Sequence, residues 1–268
     1  MLDARSLGEL GVLLVEPSAM QAKAMIGQML KQGIAHVHTV GSAQEALQAI
    51  RQEYPSLVIS ALYLPDMSGI GLLHAIRNDE EFSALPFVLV SSETRPQVLE
   101  PVRQSGVSGI LPKPFTEQQL AAALNATLEL LSPDVSLEQA DVDLESVRVL
   151  LVDDSAMARN HIRRVLENMG IANFFEAANG VEAVHLLNAN MVDFVVTDYN
   201  MPEMDGRALV EYIRSQSWQR SVPVLMVTSE ANNERLAGIE DLGIVGICDK
   251  PFNPATIKQL LGNLLKNH

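Results

Sequence analysis

The chain has 268 residues, of which 47% are hydrophobic and 19% are charged, values typical of a folded protein and not of a disordered one. Its 19 basic and 33 acidic residues give a formal net charge of −14, which argues against direct nucleic-acid binding and against docking on an anionic membrane. The single cysteine, Cys248, cannot form an internal disulfide, and no apolar stretch approaches the ~20 residues that span a bilayer. We therefore expect a cytoplasmic protein.

An internal repeat organises the chain. Four blocks recur without gaps at one constant offset of 137 residues, the distance from residue 16 to residue 153. An offset of this length indicates a duplicated domain and not an array of short repeats. The matching blocks are 11–20 with 148–157, 61–69 with 198–206, 85–93 with 222–230, and 111–115 with 248–252.

Two domains and a linker follow from this repeat. We predict a first domain over residues 1–131 and a second over 147–268. The segment 132–146 between them has five acidic residues and no basic one, which is typical of a solvated linker. A helix that continues from the end of the first copy is the alternative for this segment.

Each copy alternates short apolar runs with helical periodicity. In the second copy this pattern predicts five strands and five helices. The strands are predicted at 147–152, 173–177, 192–197, 223–228 and 244–248. The helices are predicted at 157–170, 181–189, 206–216, 233–243 and 254–265.

This (βα)5 order indicates an α/β fold in each copy. Continuous apolar strands are typical of a parallel sheet buried on both faces, and right-handed crossovers place helices on both sides of it. Ligands of such doubly wound sheets bind beyond the carboxyl ends of the strands. The residues that follow the strands are therefore the candidates for function.

Acidic and other polar residues follow four strands of the second copy. Asp153 and Asp154 follow the first strand, Asp198 the third, Thr228 the fourth and Lys250 the fifth. Carboxylates that converge at one edge repel each other, and a hard divalent cation such as Mg²⁺ relieves that repulsion. With the charge of a lysine, such a cluster forms a pocket for a phosphoryl group and offers a carboxylate as nucleophile.

At these residues the second copy resembles a receiver domain of response regulators, the CheY-like family, over essentially all of 147–268. The resemblance implies a flavodoxin-like five-stranded sheet of order 2-1-3-4-5 in each copy. It implies that Asp198 is the phosphoacceptor, and that Asp153, Asp154, Asp198 and the backbone carbonyl of Asn200 bind one Mg²⁺.

The resemblance also assigns the switch residues. Lys250 would pair with the acyl phosphate, and the hydroxyl of Thr228 would move toward a phosphoryl oxygen. The Lys250–Pro251 bond would be cis. Many family members carry Tyr or Phe three residues before the lysine, whereas this chain has Ile247, whose aliphatic side chain cannot make the same in-or-out switch.

The first copy keeps the repeat but has lost the acids. Glu16 and Pro17 replace the paired aspartates, Ala61 replaces Asp198, and Ser91 and Lys113 remain at the threonine and lysine positions. Without a carboxylate at residue 61 no acyl phosphate can form, and one glutamate provides too few ligands for Mg²⁺. The first copy therefore resembles an inactive pseudo-receiver.

We expect a two-component response regulator without a separate output domain, phosphorylated by a histidine kinase or a histidine phosphotransfer protein. It would signal by contacts with an unidentified protein target or as a homodimer, and it would not be an enzyme beyond its own phosphorylation and dephosphorylation. Two alternatives stay open, a phosphate sink for a shared kinase and a fragment of a longer regulator. An aspartate-nucleophile phosphatase of the haloacid dehalogenase type is disfavoured, because its nucleophile follows the first strand as Asp-x-Asp.

Overall fold

The computed structural model describes residues 6–79, 81–93, 96–131, 144–228 and 242–250. The chain divides into two compact units, residues 1–133 and residues 134–268, called here the first and second domains. Each domain contains one five-stranded parallel sheet. Within the described ranges no helix is both long enough and apolar enough to cross a membrane.

The first domain alternates five strands with five helices, after a short 3-10 helix at Leu7–Glu9. The strands are β1 (Gly11–Val15), β2 (His36–Val40), β3 (Leu57–Ala61), β4 (Phe87–Ser91) and β5 (Gly109–Pro112). The helices are α1 (Ala19–Lys31), α2 (Ala43–Glu53), α3 (Gly69–Arg77), α4 (Pro96–Arg103) and α5 (Glu117–Leu131).

The described residues of the second domain follow the same order of elements, after a 3-10 helix at Leu144–Ser146. Its strands are β6 (Arg148–Val152), β7 (Asn173–Ala177), β8 (Phe194–Asp198), β9 (Val224–Thr228) and β10 (Gly246–Asp249). Its described helices are α6 (Ala156–Asn168), α7 (Gly180–Ala189) and α8 (Gly206–Ser215). The predicted helix 254–265 lies outside the described residues, and so does the predicted helix 233–243 except for its last two residues.

The strand order confirms the predicted fold. The first sheet has the order β2-β1-β3-β4-β5 and the second β7-β6-β8-β9-β10, which is 2-1-3-4-5 in both cases. All strand pairings within the two sheets are parallel, and in the second sheet Asp198 of β8 lies beside Val227 of β9. The carboxyl ends of β6, β8, β9 and β10 therefore share one edge of the sheet.

Both faces of the first sheet are buried. Along β1, Leu13 and Val15 pack into one hydrophobic cluster, whereas Val12 and Leu14 pack into another on the opposite face. This alternation follows from the two-residue period of a strand, and it explains why the central strand β1 is a continuous apolar run.

Helix caps set where the helices begin at the functional edge. The side chains of Ser18 and Ser155 cap α1 and α6 by accepting hydrogen bonds from the backbone amides of Gln21 and Ala158. Such caps satisfy amides that have no partner inside the helix. Each helix therefore starts a few residues after β1 or β6, which keeps the connecting loop short.

The end of the predicted linker packs against the second domain. Residues 144–146 form the 3-10 helix, and the Asn173 side chain donates a hydrogen bond to the Glu145 carbonyl oxygen at 2.5 Å. Residues 132–143 lie outside the described residues, so the predicted boundaries 1–131, 132–146 and 147–268 stay predictions.

Candidate functional site

The three carboxylates predicted to form the site lie together in the second domain. Asp153 and Asp198 are each only 1% exposed, whereas Asp154 is exposed. One oxygen from each of Asp153, Asp154 and Asp198 lies within 4.8 Å of the other two. The edge of the sheet thus brings the acids of two strands to one point.

Lys250 joins this cluster from the end of β10. Its Nζ donates hydrogen bonds to Asp153 Oδ2 at 2.7 Å and to Asp198 Oδ2 at 2.8 Å, and its side chain is 3% exposed. The backbone amide of Lys250 donates to the Thr228 carbonyl at 2.8 Å, which fixes the residue beside the end of β9. The ammonium group therefore bridges the two buried carboxylates.

The electrostatics of the cluster show an excess of negative charge. Burial raises the pKa of the Asp198 carboxyl to about 6. The positive charge of Lys250 lowers this pKa, and the negative charge of Asp153 raises it further. Burial alone would lower the pKa of Lys250, but the charges of Asp153 and Asp198 outweigh it and raise that pKa. The cluster combines three acidic side chains with one lysine, so a further cation would be stabilised there.

Backbone amides hold both buried carboxylates in place. The Ser155 amide donates to Asp153 Oδ1 at 2.9 Å, and the Tyr199 amide donates to Asp198 Oδ1 at 2.7 Å. At the start of α8, a Cβ added to Gly206 would lie 2.1 Å from the Asp198 carbonyl oxygen. Only glycine permits this approach, which brings the start of α8 directly against the end of β8.

The other predicted site residues lie around this cluster. Thr228 is fully buried at the end of β9, and Asn200 is exposed in the loop after β8. Ile247, three residues before the lysine, packs against the core of the domain. The Lys250–Pro251 bond lies outside the described residues, and the equivalent Lys113–Pro114 bond of the first domain is cis.

One residue beside the site escaped the sequence analysis. Arg159 of α6 donates from Nη1 to the backbone carbonyl of Asp153 and from Nε to Glu176 of β7 at 3.3 Å. It thereby ties the acidic loop to the neighbouring strand. The signal was available in the repeat, because the equivalent positions in the first domain, Ala22 and Thr39, lack both charges.

The residues of the cluster fit a magnesium ion. All three side chains offer oxygen ligands, two of them are buried beside a single lysine, and the third is open to solvent. Mg²⁺ prefers such oxygen ligands and keeps several waters, which the exposed side of the site can accommodate.

The first domain builds the same edge with different side chains. Lys113 Nζ donates to Glu16 Oε2 at 2.7 Å, and the Ser18 amide donates to Glu16 Oε1 at 3.0 Å, as Ser155 does to Asp153. Ala61 is 7% exposed at the end of β3, and Pro17 is exposed. Among the described residues of this edge, Glu16 is thus the one carboxylate in contact with the lysine.

Ser91 ends β4 at the position of Thr228. It is 3% exposed, and its Oγ accepts a hydrogen bond from the Glu93 amide at 2.9 Å. The Lys113 amide donates to the Ser91 carbonyl at 2.7 Å, which matches the bond between Lys250 and Thr228. The backbone hydrogen bonds of the two sites are therefore equivalent, and the two sites differ in their side chains.

A 2-1-3-4-5 sheet with paired acids, a third acid and a lysine at its carboxyl edge defines the class of receiver domains. The sequence profile of the response regulator receiver domain matches residues 12–125 and again residues 149–262. The chain therefore belongs to the response regulator receiver domain family, with two copies in tandem.

Some of the similar proteins match one copy of the repeat, and others match both copies. The chemotaxis protein CheY-3 of Vibrio cholerae is 36% identical over 122 residues, which cover 46% of this chain and 94% of CheY-3. The chemotaxis protein CheY of Pseudomonas aeruginosa is 33% identical over 120 residues, covering 45% of this chain and 97% of that protein.

A solved structure of the chemotaxis response regulator CheY4 of Vibrio cholerae is 34% identical, with a TM-score of 0.40, over 44% of this chain and 98% of that one. A "probable two-component system response regulator/GGDEF domain protein" is 21% identical, with a TM-score of 0.43, over 96% of this chain and 98% of that one.

Proposed function

We propose that the chain is a two-component response regulator that accepts a phosphoryl group on Asp198 of its second domain. The donor would be a phosphohistidine of a histidine kinase or of a histidine phosphotransfer protein. The observation that carries this proposal is the buried Asp198 carboxylate, which Lys250 contacts at 2.8 Å beside two further carboxylates. Membership of the receiver family supports it.

The transfer would be a single displacement at phosphorus. One carboxylate oxygen of Asp198 attacks the phosphorus atom, the phosphorus–nitrogen bond of the donor breaks, and the imidazole leaves with the electron pair of that bond. Attack by water would later cleave the acyl phosphate, release inorganic phosphate and restore the carboxylate. The pKa of about 6 leaves Asp198 mostly ionised near pH 7, as a nucleophile must be.

The residues around Asp198 would stabilise the added charge. Lys250 would exchange its contact with the Asp198 carboxylate for one with a phosphoryl oxygen, while keeping Asp153 as its second partner. Thr228, at the end of the adjacent strand, would offer its hydroxyl to another phosphoryl oxygen. Asp153, Asp154, Asp198 and the Asn200 carbonyl would bind Mg²⁺, which supplies positive charge that neutralises the phosphoryl oxygens.

The first domain would not be phosphorylated. Its edge carries Ala61 where the nucleophile is needed, and Glu16 is already paired with Lys113 at 2.7 Å. In this reading the chain is not an enzyme acting on other substrates, because its chemistry ends with its own phosphorylation and dephosphorylation.

The phosphorylated second domain would act through protein contacts, either with an unidentified target or with a second copy of the chain. The isoleucine at residue 247 favours one alternative, a phosphate sink. Its aliphatic side chain packs on the core and cannot make the in-or-out movement expected of an aromatic ring at this position in the receiver family. The two roles separate in a binding assay with a target, with and without beryllium fluoride as phosphoryl mimic. Unchanged binding favours the sink, and changed binding favours the switch.

Labelling with a small phosphoryl donor tests the proposed chemistry. Wild-type protein incubated with phosphoramidate and Mg²⁺ should gain a base-labile phosphoryl group, and Asp198→Asn should gain none. Asp205→Asn, which alters an exposed helix-capping acid in the same domain, is the matched control and should be labelled as the wild type is. Labelling that survives Asp198→Asn would refute the assignment.

A further inference from the structure

The first domain has a large cavity at the edge where the second domain carries its acidic site. The cavity has a volume of about 700 Å³ and opens where β1, β3, β4 and β5 end. This size lies within the ~300–1,000 Å³ of pockets that bind small molecules, and the carboxyl edge of a doubly wound sheet is a preferred place for them.

The replaced acids shape this cavity. Ala61 and Pro17 stand at the positions of Asp198 and Asp154, so two charged groups give way to a methyl group and a ring. The remaining walls are largely apolar, and they come from α1, β3, β4 and the segment after β5. The apolar lining side chains include Met25, Leu62, Val90 and Phe115.

The polar end of the cavity is a lysine that is less enclosed than its counterpart. Lys113 Nζ donates to Glu16 Oε2 at 2.7 Å and to Gln21 Oε1 at 2.6 Å, so the described acceptors occupy two of its three ammonium hydrogens. Its side chain is 24% exposed, compared with 3% for Lys250. One donor is therefore available to a molecule that enters the cavity.

The charges at this end limit the ligand. Glu16 is the one acidic residue among the described lining residues, and its charge offsets that of Lys113. A doubly charged phosphate would meet no net positive charge, whereas one oxygen on an apolar molecule needs only the third hydrogen of Lys113. The cavity thus favours a mostly apolar ligand with one hydrogen-bond-accepting head.

We propose that the first domain binds a small amphipathic molecule in this cavity. A flat apolar body, aromatic or alicyclic, packs against Met25, Val90 and Phe115, above Ala61. A single carbonyl or carboxylate oxygen of the ligand accepts a hydrogen bond from Lys113. The loss of the phosphoacceptor has, in this view, replaced one ligand chemistry by another at the same edge of the fold.

The test uses 2-naphthoate as the probe, with the full-length Asp198→Asn protein as the parent, so that its outcome is independent of phosphorylation. In a titration followed by ¹H–¹⁵N NMR, the probe should shift the amide signals of the non-proline residues within 16–28, 61–63 and 113–115. 2-Naphthyl phosphate, with a doubly charged head, should bind more weakly. An absence of shifts at millimolar 2-naphthoate, or shifts confined to other residues, would overturn the proposal.

Three variants locate the site. Ala61→Trp fills the cavity and should abolish binding, and Lys113→Met should weaken it about tenfold through loss of the head-group hydrogen bond. Ala122→Trp, at an exposed position of α5 outside the cavity, should bind as the parent does. If Ala61→Trp does not fold, Ala61→Leu replaces it. Unchanged affinity in a folded Ala61 variant and in Lys113→Met would refute the proposed site.

Discussion

Replacing Asp198 with Asn should stabilise the second domain at neutral pH in the absence of metal. Burial raises the pKa of the Asp198 carboxyl from its ordinary 3.8 to about 6. The folded domain therefore holds this proton more tightly than the unfolded chain does. By linkage, the contribution of Asp198 to stability is fully present below pH 3.8 and is lost as the pH rises through about 6.

The magnitude follows from the two pKa values. The difference between 3.8 and about 6 corresponds to about 3 kcal/mol of unfolding free energy, at about 1.4 kcal/mol for each pKa unit. Asparagine resembles a neutral aspartic acid in shape and does not titrate. Asp198→Asn should therefore be only slightly more stable than the wild type near pH 4, and more stable by up to about 3 kcal/mol near pH 7.

Urea unfolding in EDTA, repeated from pH 4 to pH 8, measures this difference. Trp218 is the single tryptophan of the chain and lies in the second domain, so its fluorescence reports on that domain alone. Asp193→Asn is the control with the opposite sign, because the hydrogen bond from Arg148 lowers the pKa of Asp193. It should be less stable than the wild type near pH 7, with the loss fading in acid. An Asp198→Asn advantage that does not grow with pH would refute the reasoning.

Further substitutions at four positions test the local structure and the assignment of the site. Gly206→Ala should destabilise the second domain by about 3 kcal/mol in urea unfolding, because the added Cβ would meet the Asp198 carbonyl. Gly27→Ala, with open space around it, should instead stabilise α1 by about 0.5–1 kcal/mol. Arg159→Met should weaken Mg²⁺ binding about tenfold by calorimetry, with partial rescue in Arg159→Lys, and equal affinity in all three proteins would contradict its positioning role. Ala61→Asp should create no second labelled site by mass spectrometry, because Pro17 still lacks a carboxylate.

The sequence predicted the fold because its signals are local and repeated. Continuous apolar strands, helical periodicity and the constant offset of 137 residues were sufficient for the (βα)5 order of the first domain and for the five strands and three described helices of the second. The predicted strand 173–177 coincides with β7. For the other described strands and helices of the second domain, each predicted end lies within two residues of the observed end. The convergence of Asp153, Asp154, Asp198 and Lys250 followed from the rule that parallel strands share one carboxyl edge.

Side-chain contacts between residues that are distant in the sequence could not be predicted from these local signals. An arginine on a helix reads as a surface residue, and only the folded chain brings Arg159 against Glu176 and the Asp153 carbonyl. The cavity of the first domain is lined by residues from several separate segments of the chain, which only the folded structure brings together. The pKa of Asp198 depends on the extent of its burial, which the identity of the residue does not reveal.

The most direct measurement is the number and position of phosphoryl groups on the wild-type chain. The protein would be incubated with phosphoramidate and Mg²⁺, its intact mass recorded, and the acyl phosphate reduced with borohydride before peptide mapping. The account predicts one phosphoryl group per chain, located at Asp198. A phosphoryl group within residues 6–131, or no incorporation in the presence of Mg²⁺, would contradict it.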